Sequence, residues 1–263
     1  MWLIELKAKI VGIWNEIPTK PSHFEILKLN KKIKNITLDL TNFKKLKKII
    51  MNEKPDFIFH LAGQSLVKRS YTKPKFTFDT NTTGTLNLLE SLRSLKKKCV
   101  IILITSDKVY KNLEINRGYR EDDELGGTDP YSASKAAAEL VIQSYIKSFF
   151  SNKNCKKFIA IARAGNVIGG GDWSKDRLIP DCAKFWSKGK VVKIRNPYST
   201  RPWQHVMEAV NGYLILAKKL NLSKKLHGQA FNFGPKKNNN FDVTTVIELI
   251  KKNGLTLNGK KGY

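Results

Sequence analysis

Hydrophobic and polar residues follow one another along the chain in blocks of two kinds. Short, continuous apolar runs bounded by turn residues are typical of parallel strands that are buried on both faces. Longer segments with apolar residues three or four positions apart are typical of amphipathic helices. The predicted strands are residues 9–14, 36–40, 56–62, 99–105 and 157–163, and the predicted helices are residues 24–29, 43–51, 74–97 and 131–149. Because strands and helices alternate at this spacing, we predict an α/β fold with a doubly wound, mostly parallel sheet.

The pattern becomes looser beyond residue 164, where a glycine-rich stretch at 165–171 follows the last long strand. The predicted elements of this half are helices at 177–186, 205–220 and 243–251, and strands at 191–195 and 230–234. The sequence shows no linker between the two halves and no internal repeat. We therefore predict a main unit at residues 1–164 and a smaller, interwoven C-terminal lobe at residues 165–263.

Composition places the chain among globular proteins, because 41% of its 263 residues are hydrophobic. No apolar run approaches the ~20 residues of a membrane-spanning helix, and the first residues lack the uninterrupted apolar segment of a signal peptide. We therefore expect a cytoplasmic protein with no membrane association. The three cysteines, Cys99, Cys155 and Cys182, are widely spaced and predict neither a disulfide framework nor a metal site.

The net charge is unusually high: 48 Lys and Arg residues against 22 Asp and Glu residues give +26. Such a surface can attract nucleic acid or anionic lipid. The excess is mostly lysine scattered along helix faces and turns, and the sequence has neither a zinc-finger spacing nor a basic helix with clustered arginines. Solvated lysine faces therefore explain the charge better than a nucleic-acid site does, and a nucleotide-bearing substrate would also be attracted.

Candidate chemistry is concentrated where the fourth predicted strand ends. A hydroxyl, an acid and a base follow that strand as Ser106, Asp107 and Lys108, at the sheet edge where ligands of such folds bind. Tyr131 and Lys135 come next, four residues apart and so on one face of a predicted helix. A cation beside a phenol favours the phenolate and should lower the Tyr131 pKa from about 10. Such a phenolate can take a proton from an alcohol while a cofactor accepts the hydride. The alternative is the start of an ordinary amphipathic helix.

Seven segments of the sequence match motifs of one known family. They are FHLAGQ, NTTGTLNLLE, ITSDKVY, GYREDDELGG with DPYSASK, ARAGNVIGGGDW, DRLIPD and RNPYSTRPWQHV. Together they closely resemble the CDP-glucose 4,6-dehydratase family, which belongs to the extended short-chain dehydrogenase/reductases. The tyrosine–lysine pair alone indicates only that superfamily, whereas TSDK and RPWQHV narrow the resemblance to the CDP-glucose type. The resemblance implies a Rossmann-like fold, NAD as the cofactor and CDP-glucose as the substrate.

The resemblance also implies a role for each residue of the cluster. Tyr131, held by Lys135, would take the C4 hydroxyl proton of the glucose while NAD takes the hydride, and Ser106 would hydrogen-bond the same oxygen. Water would then leave across C5–C6, with Asp107 protonating the C6 hydroxyl and Lys108 standing where related dehydratases have a glutamate base. A lysine base must be neutral, so its pKa must be lowered by its surroundings. Return of the hydride to C6 would give CDP-4-keto-6-deoxyglucose, a precursor of deoxysugars in surface polysaccharide.

Binding roles come from the same resemblance. It assigns the cofactor to Asp39, Leu61, Ala62, Gln64 and Asn81, in addition to Tyr131 and Lys135. It assigns the CDP moiety to Asn166, Arg177, Arg195, Arg201 and His205. The planar fork of arginine suits a diphosphate because it donates two hydrogen bonds at once. The alternatives for this second set are surface arginines and a helix-capping polar residue. The resemblance further implies a homodimer that pairs through the helices at 74–97 and 131–149.

The two ends of the chain depart from the family pattern. The family opens with a strand and a glycine-rich turn that leads into a helix, whose N-terminus meets the cofactor pyrophosphate. This sequence opens with MWLIELKAKIVG, which matches the end of that first helix and the second strand, and it closes with GLTLNGKKGY before the family pattern ends. We therefore expect residues 1–164 to form a NAD-binding unit without its first strand and glycine-rich turn, and residues 165–263 to form a CDP-sugar lobe. The absence of the first strand would leave an apolar strand edge unpaired. The absence of the glycine-rich turn would lower the affinity for NAD and so the turnover.

Three alternatives to an active dehydratase stay open. The chain could be a catalytically silent remnant that binds sugar nucleotide or dimerises, and the cofactor content of the purified protein separates these two. It could be a related epimerase or reductase, which needs Tyr131 and Lys135 but no acid/base pair such as Asp107 and Lys108. A basic nucleic-acid binder is the last alternative, and measurements of DNA binding at several salt concentrations would test it.

Overall fold

The computed structural model of the chain describes residues 1–235 and 241–252. The helices are α1 (Trp2–Glu5), α2 (His23–Ile26), α3 (Phe43–Glu53), α4 (Val67–Thr72), α5 (Pro74–Phe78), α6 (Gly84–Arg93), α7 (Pro130–Tyr145), α8 (Leu178–Trp186), α9 (Val206–Leu222) and α10 (Val243–Lys252). The strands are β1 (Val11–Trp14), β2 (Lys34–Thr37), β3 (Phe57–His60), β4 (Cys99–Ile104), β5 (Lys157–Ala164), β6 (Val167–Ile168), β7 (Thr200–Arg201), β8 (Gln204–His205), β9 (Ala230–Phe233) and β10 (Phe241–Asp242). Two π-helical turns, Asp79–Thr83 and Ile146–Phe150, join α5 to α6 and extend α7.

A parallel sheet with the strand order β3-β4-β5-β9 forms the centre of the fold. The strand β4 lies inside this sheet, and successive side chains of a strand point to opposite faces. On one face, Cys99, Ile101 and Leu103 pack with apolar residues of α3, α6 and α7. On the other face, Val100 and Ile102 pack with apolar residues of α9. Helices therefore cover both faces, and the predicted doubly wound α/β fold is confirmed.

Two further strands, β1 and β2, form a separate parallel pair. Within the described part of the chain, neither of them is hydrogen-bonded to the central sheet. Ile13, Ile36 and Leu38 nevertheless pack into the same apolar core as α3 and α6. The main-chain pairing runs one residue past the strands, since Leu38 N donates to the Trp14 carbonyl over 2.8 Å. The residue that follows, Asp39, therefore lies at the carboxyl edge of a strand pair that is not part of the central sheet.

The second half of the chain returns to the central sheet. The strand β9 pairs with β5 in register from Ile161↔Ala230 to Ala164↔Phe233. Two short pairs, β6 with β8 and β7 with β10, hold the segments that lie beyond the carboxyl edge of β5. This return is what an interwoven lobe requires, although the boundary at residues 164 and 165 stays a prediction. Part of the predicted lobe, residues 236–240 and 253–263, lies outside the described residues.

Several predicted elements have other bounds in the structure, and three of these differences have a clear physical reason. The strand expected at 191–195 is wrong, because Val191 is 77% exposed and this segment finds no partner strand among the described residues. The second strand covers 34–37 instead of 36–40, because its register follows its pairing with β1. The long helix expected at 74–97 is built from α5, a π-helical turn and α6, and it ends at Arg93.

None of the helices in the described ranges combines the length and apolar character that crossing a membrane demands.

Candidate active site

The strand β4 delivers a hydroxyl and an acid to the carboxyl edge of the sheet. The ladder continues one residue beyond the strand, because Thr105 N donates to the Ala162 carbonyl over 2.9 Å. Ser106 then caps a short 3-10 turn by accepting a hydrogen bond from Lys108 N over 3.2 Å. The Ser106 hydroxyl donates to Asp107 Oδ1 over 3.0 Å, and Asp107 Oδ2 lies 3.3 Å from Lys108 Nζ. The predicted hydroxyl, acid and base are therefore linked to one another.

The helix α7 begins beside this cluster and carries the tyrosine and the lysine. Asp129 caps the helix, since its Oδ1 accepts from Tyr131 N over 2.9 Å and from Ser132 N over 3.1 Å. Pro130 occupies the first turn, where a missing N–H costs nothing. Tyr131 and Lys135 are one turn apart, and each is only 8% exposed. Both predicted catalytic side chains of α7 are therefore buried.

Tyr131 meets the β4 cluster through a hydrogen bond between its side chain and that of Ser106. Burial, the largest influence, raises the pKa of Tyr131 above its usual value, and the negative charge of Asp107 adds to this rise. The hydrogen bond to Ser106 and the charge of Arg177 act in the opposite direction. The expectation that Lys135 lowers the Tyr131 pKa is therefore wrong for this chain, because desolvation of the phenolate outweighs the nearby positive charges.

Lys135 is a buried cation without a counter-charge. Its ammonium group makes no hydrogen bond or ion pair to any residue in the described part of the chain. Burial lowers the pKa of Lys135 from 10.5 to about 8. The group is therefore still mostly protonated at neutral pH and is available to an acceptor that is not part of the protein.

The backbone of Gly63, just after β3, lies close to this cation. A Cβ atom at Gly63 would lie 3.0 Å from Asn81 Oδ1 and 3.1 Å from Lys135 Nζ. Asn81 is held in turn by the segment after β3, since its Oδ1 accepts from Gln64 N over 2.8 Å and its Nδ2 donates to the Gln64 carbonyl over 3.1 Å. Asn81 Nδ2 also donates to Ser134 Oγ on α7 over 2.9 Å. The structure thus brings three predicted cofactor residues, Gln64, Asn81 and Lys135, to one place.

The other three predicted cofactor residues lie along the carboxyl edges of β2 and β3. Leu61 and Ala62 directly follow β3, and Leu61 is 58% exposed. Asp39 follows β2 and has local partners, since its Oδ1 accepts from Thr41 N over 2.9 Å and its Oδ2 accepts from Asn15 Nδ2 over 3.2 Å. Because β2 belongs to the separate strand pair, Asp39 and Leu61 lie on different sheets.

Two of the arginines predicted to bind substrate lie close to the segment that leads into α8. Arg177 Nη2 donates to Ser65 Oγ over 2.9 Å, and its Nη1 lies 3.7 Å from Asp172 Oδ2. Arg195 Nη2 donates to the Asp176 carbonyl over 3.2 Å. The charge of Arg177 also acts on Tyr131, which places this guanidinium within electrostatic reach of the phenol.

The remaining predicted substrate residues surround the short strands β6, β7 and β8. Arg201 Nη1 donates to the Thr200 carbonyl over 2.7 Å. His205 caps α9, since its Nδ1 accepts from Met207 N over 3.3 Å, and its backbone N donates to Glu208 Oε2 over 3.1 Å. The Asn166 carbonyl accepts from Gln204 N over 3.0 Å, as part of the β6–β8 pairing. One nitrogen of His205 thus serves as a helix cap, and the ligand roles of these three residues stay predictions.

Comparison with known proteins decides the family. Residues 2–254 match the family model for GDP-mannose 4,6 dehydratase. The chain belongs to the GDP-mannose 4,6-dehydratase family. A CDP-glucose 4,6-dehydratase from Salmonella typhimurium is 44% identical to it over 255 residues, which cover 96% of this chain and 70% of that protein. The resemblance to CDP-glucose 4,6-dehydratases that the motifs indicated is thereby confirmed.

Solved structures share the fold of this family member. A UDP-glucose 4-epimerase from Thermotoga maritima with UDP-glucose has a TM-score of 0.81 and 20% identity, covering 95% of this chain and 76% of that one. A double mutant of a dTDP-glucose 4,6-dehydratase from Streptomyces venezuelae, with NAD bound, has a TM-score of 0.75 and 20% identity, covering 94% and 72%. At this level of identity the likeness establishes the Rossmann-like fold alone.

A buried ion pair behind the tyrosine and lysine of this family member was missed by the sequence analysis. Glu139 on α7 is 0% exposed, Arg163 on β5 is 2% exposed, and Arg163 Nε donates to both carboxylate oxygens over 3.0 and 3.1 Å. The spacing held a signal for the acid, since Glu139 follows Lys135 by four residues and Tyr131 by eight. Nothing in the sequence pattern indicated its partner on β5.

His60 is buried at the end of β3 and contacts Thr85 on α6. Its Nε2 lies 3.0 Å from Thr85 Oγ1, and the Thr85 hydroxyl donates to the Asn81 carbonyl over 2.7 Å. Burial and the charge of Lys135 lower the pKa of His60 to about 4, so the imidazole is neutral. Across residues 1–235 and 241–252, no group of three or more His, Cys, Asp or Glu side chains is placed to hold a metal ion.

Proposed function

We propose that this member of the GDP-mannose 4,6-dehydratase family converts CDP-glucose into CDP-4-keto-6-deoxyglucose by loss of water. The observation that carries the proposal is the hydrogen-bonded series from Tyr131 through Ser106 to Asp107. In this series an acid/base group, Asp107, lies next to a tyrosine of the dehydrogenase type. An elimination that follows oxidation requires such a group. An epimerase or reductase has no need for this acid. The choice of CDP-glucose is supported by the identity of 44% to the Salmonella CDP-glucose 4,6-dehydratase.

The surroundings of Lys135 fit the reactive end of NAD. The cation is buried and has no acceptor among the described residues, and the backbone at Gly63 lies close to both Lys135 Nζ and Asn81 Oδ1, with no side chain of its own in the way. Ribose hydroxyl groups would supply the missing acceptors. The residues that would hold the cofactor are Asp39, Leu61, Ala62, Gln64, Asn81, Tyr131 and Lys135. When bound, NAD supplies a hydride acceptor for oxidation at C4 and a hydride donor for reduction at C6.

Tyr131 would take the proton of the C4 hydroxyl, as a phenolate whose charge needs support in a buried site. The Ser106 hydroxyl, which donates to Asp107 Oδ1, can turn to donate to the phenolate instead. Lys135, whose pKa of about 8 keeps it positive at neutral pH, adds a favourable charge one helical turn away. Arg177 contributes a second positive charge. These three groups act against the rise in the Tyr131 pKa that burial causes.

Asp107 and Lys108 would carry the elimination. A ketone at C4 acidifies the C5 proton, and loss of the C6 hydroxyl needs an acid. Since Asp107 Oδ2 lies 3.3 Å from Lys108 Nζ, transfer of one proton from the lysine to the carboxylate would give a neutral amine and a protonated acid. The amine would then take the C5 proton while the acid protonates the leaving hydroxyl, which restores the starting charges. A lysine base next to its own acid thus avoids the need for a permanently neutral lysine.

Arg177 and Arg195 would bind the diphosphate of CDP, with Arg201, Asn166 and His205 contributing nearby. Arg177 is half-exposed and is held by one serine hydroxyl and a carboxylate 3.7 Å away. Charge-assisted bonds to a diphosphate are stronger than a bond to a neutral hydroxyl. The guanidinium would therefore leave Ser65 for the substrate.

We also propose a homodimer that pairs through α5, α6 and α7. These helices expose the large apolar side chains Phe78 and Leu140, and the π-helical turn after α7 exposes Phe149. Apolar residues on neighbouring helices suit a helical interface whose core excludes water. Sedimentation equilibrium of the purified chain tests this: a monomer at micromolar concentration contradicts the pairing.

The function is tested by offering CDP-glucose, GDP-mannose, UDP-glucose and dTDP-glucose in parallel to the purified chain. NAD is added to saturation, because Asp39 lies on a strand pair separate from the sheet that carries Leu61. Proton NMR follows the 4-keto-6-deoxy sugar. We expect kcat/KM for CDP-glucose to exceed the others by at least ~10-fold. No product from any of the four, or a preference for another nucleotide, would contradict the proposal.

A further inference from the structure

The ion pair of Glu139 and Arg163 ties the helix α7 to the central sheet from inside the core. Besides its two bonds from Nε, Arg163 donates from Nη2 to Glu139 Oε1. Arg163 Nη1 also donates to the Tyr110 hydroxyl and, over 2.9 Å, to the Glu121 carbonyl. These hydrogen bonds hold the guanidinium in place, and the guanidinium in turn holds the Glu139 carboxylate. Both residues are almost fully buried, so water does not compete for these bonds.

The same carboxylate also reaches the strand that carries the proposed active site. Thr105 Oγ1 donates to Glu139 Oε2 over 3.0 Å. Thr105 directly precedes Ser106, and its own backbone is anchored to β5 through the bond from Thr105 N to the Ala162 carbonyl. Glu139 therefore attaches α7 to the end of β4, one residue away from the hydroxyl that Tyr131 contacts.

Helical geometry turns this attachment into a constraint on the tyrosine. Tyr131, Lys135 and Glu139 follow one another at intervals of four residues, so they lie along one face of α7. Tyr131 and Glu139 are roughly 12 Å apart along the helix axis. Tyr131 contacts Ser106, and Glu139 contacts the preceding residue, Thr105. These two contacts fix the position of α7 along its axis and its rotation about that axis.

We propose that Glu139, held by Thr105 and Arg163, is a positioning residue that keeps the Tyr131 hydroxyl against Ser106. Its catalytic consequence rests on the proposed dehydratase function. Glu139 acts by holding α7 in place and not through its charge, because the adjacent Arg163 guanidinium neutralises the carboxylate. An apolar pair of similar size would often stabilise a core at least as well as a buried ion pair. The polar arrangement therefore calls for a reason beyond stability, and the fixed orientation of α7 supplies one.

Thr105 offers the sharpest test, because its hydroxyl can be removed without disturbing the ion pair. Thr105→Val keeps the shape and loses the donor, whereas Thr105→Ser keeps the donor. Since a misplacement of about 1 Å can cost about 100-fold in rate, we expect Thr105→Val to lower kcat by roughly 10- to 100-fold. KM for CDP-glucose should change less than ~2-fold, as the proposed diphosphate ligands are elsewhere. Thr105→Ser should restore kcat.

Ser91→Ala is the matched control. Ser91 is buried on α6 and its hydroxyl donates to the Asn87 carbonyl over 2.7 Å. Loss of a buried hydroxyl there should leave kcat unchanged. A fall in kcat that is equal for Thr105→Val and Ser91→Ala would mean a general loss of packing and would overturn the proposal. Full activity of Thr105→Val would overturn it as well.

The double variant Glu139→Leu with Arg163→Leu guards against a folding defect. It removes both charges together, so no buried charge is left alone. We expect the circular-dichroism spectrum and cooperative unfolding of the parent, with kcat reduced as in Thr105→Val. A folded double variant with the kcat of the parent would contradict the positioning role.

An NMR measurement separates this proposal from the proposed function. In protein labelled with [ζ-13C]tyrosine, the Tyr131 resonance is assigned by its absence in Tyr131→Phe. Positioning by Glu139 predicts that this resonance shifts in Thr105→Val and in the double variant, but not in Thr105→Ser or Ser91→Ala. If the parent chain does not turn over CDP-glucose, the dehydratase proposal fails while this measurement still decides the positioning role. An unshifted Tyr131 resonance in both Thr105→Val and the double variant would refute it.

Discussion

The substitution Lys135→Met should make the protein more stable while it removes the proposed activity. Lys135 is 8% exposed and has no hydrogen-bond acceptor in the described part of the chain. Its pKa falls from 10.5 to about 8 because burial disfavours the charged form. One pKa unit corresponds to about 1.4 kcal/mol, so the buried cation costs about 3 kcal/mol at pH 7. Methionine has a similar length, carries no charge and fills the same space.

The sign of the pH dependence follows from proton binding. Between pH 8 and about 10.5 the unfolded chain holds a proton on Lys135 that the folded chain has released. The parent protein therefore gains stability from this group as the pH rises through that window, and Lys135→Met does not. We expect the stability difference between the two proteins to be largest below pH 8 and to vanish near pH 10.5.

Thermal unfolding at pH 7 and at several alkaline pH values provides the assay. At about 2 to 4 °C per kcal/mol for a chain of this size, Lys135→Met should raise Tm by roughly 6 to 12 °C at pH 7. Lys157→Met is the matched control, because Lys157 is also buried but donates to the Lys97 carbonyl over 3.1 Å. That variant loses a satisfied hydrogen bond and should not gain stability. A lower Tm for Lys135→Met at pH 7, or a gain that persists at pH 10.5, would refute the reasoning.

Three further substitutions probe the site and its surroundings. Gly63→Ala introduces a Cβ 3.0 Å from Asn81 Oδ1 and 3.1 Å from Lys135 Nζ; we expect weaker binding of NAD by at least ~10-fold in a fluorescence titration, and an unchanged Kd contradicts a cofactor at this place. Asp107→Asn should lower dehydration of CDP-glucose by about 10² to 10⁴-fold, whereas an epimerase would keep its rate. His60→Gln should reduce the loss of unfolding free energy that the protein shows as the pH falls from 6.5 to about 4. The folded pKa of His60 is about 4 and its usual value is 6.5, so the parent loses about 3 kcal/mol as the pH falls through this window; equal slopes in urea unfolding would contradict this.

Much of the fold could be predicted because its signals are local. The apolar run of β4 and the helix that carries Tyr131 and Lys135 depend on neighbouring residues, and both have the predicted structure. The strand expected at 191–195 had the same local signal and failed, because a strand also needs a partner to bond with. The separation of β1 and β2 from the central sheet is a matter of long-range pairing, and no pattern within either segment reveals it.

The candidate site was predictable in its residues but not in its electrostatics. Spacing on one helix face indicated Tyr131 and Lys135, and their convergence with Ser106 is observed. The direction of the Tyr131 pKa was wrong, because it depends on burial that only the folded structure defines. Arg163 was missed because its partner Glu139 lies on another element, and sequence distance hides a contact that the sheet and helix create.

The most direct test of the dehydratase proposal uses CDP-glucose that carries deuterium at C4. The purified chain is incubated with this substrate and saturating NAD in ordinary water, and the product is analysed by NMR. The proposal predicts a 4-keto-6-deoxy sugar nucleotide whose deuterium has moved from C4 to C6, with a solvent proton at C5. A product that keeps deuterium at C4, loses it to water, or retains its C6 hydroxyl would contradict the proposal.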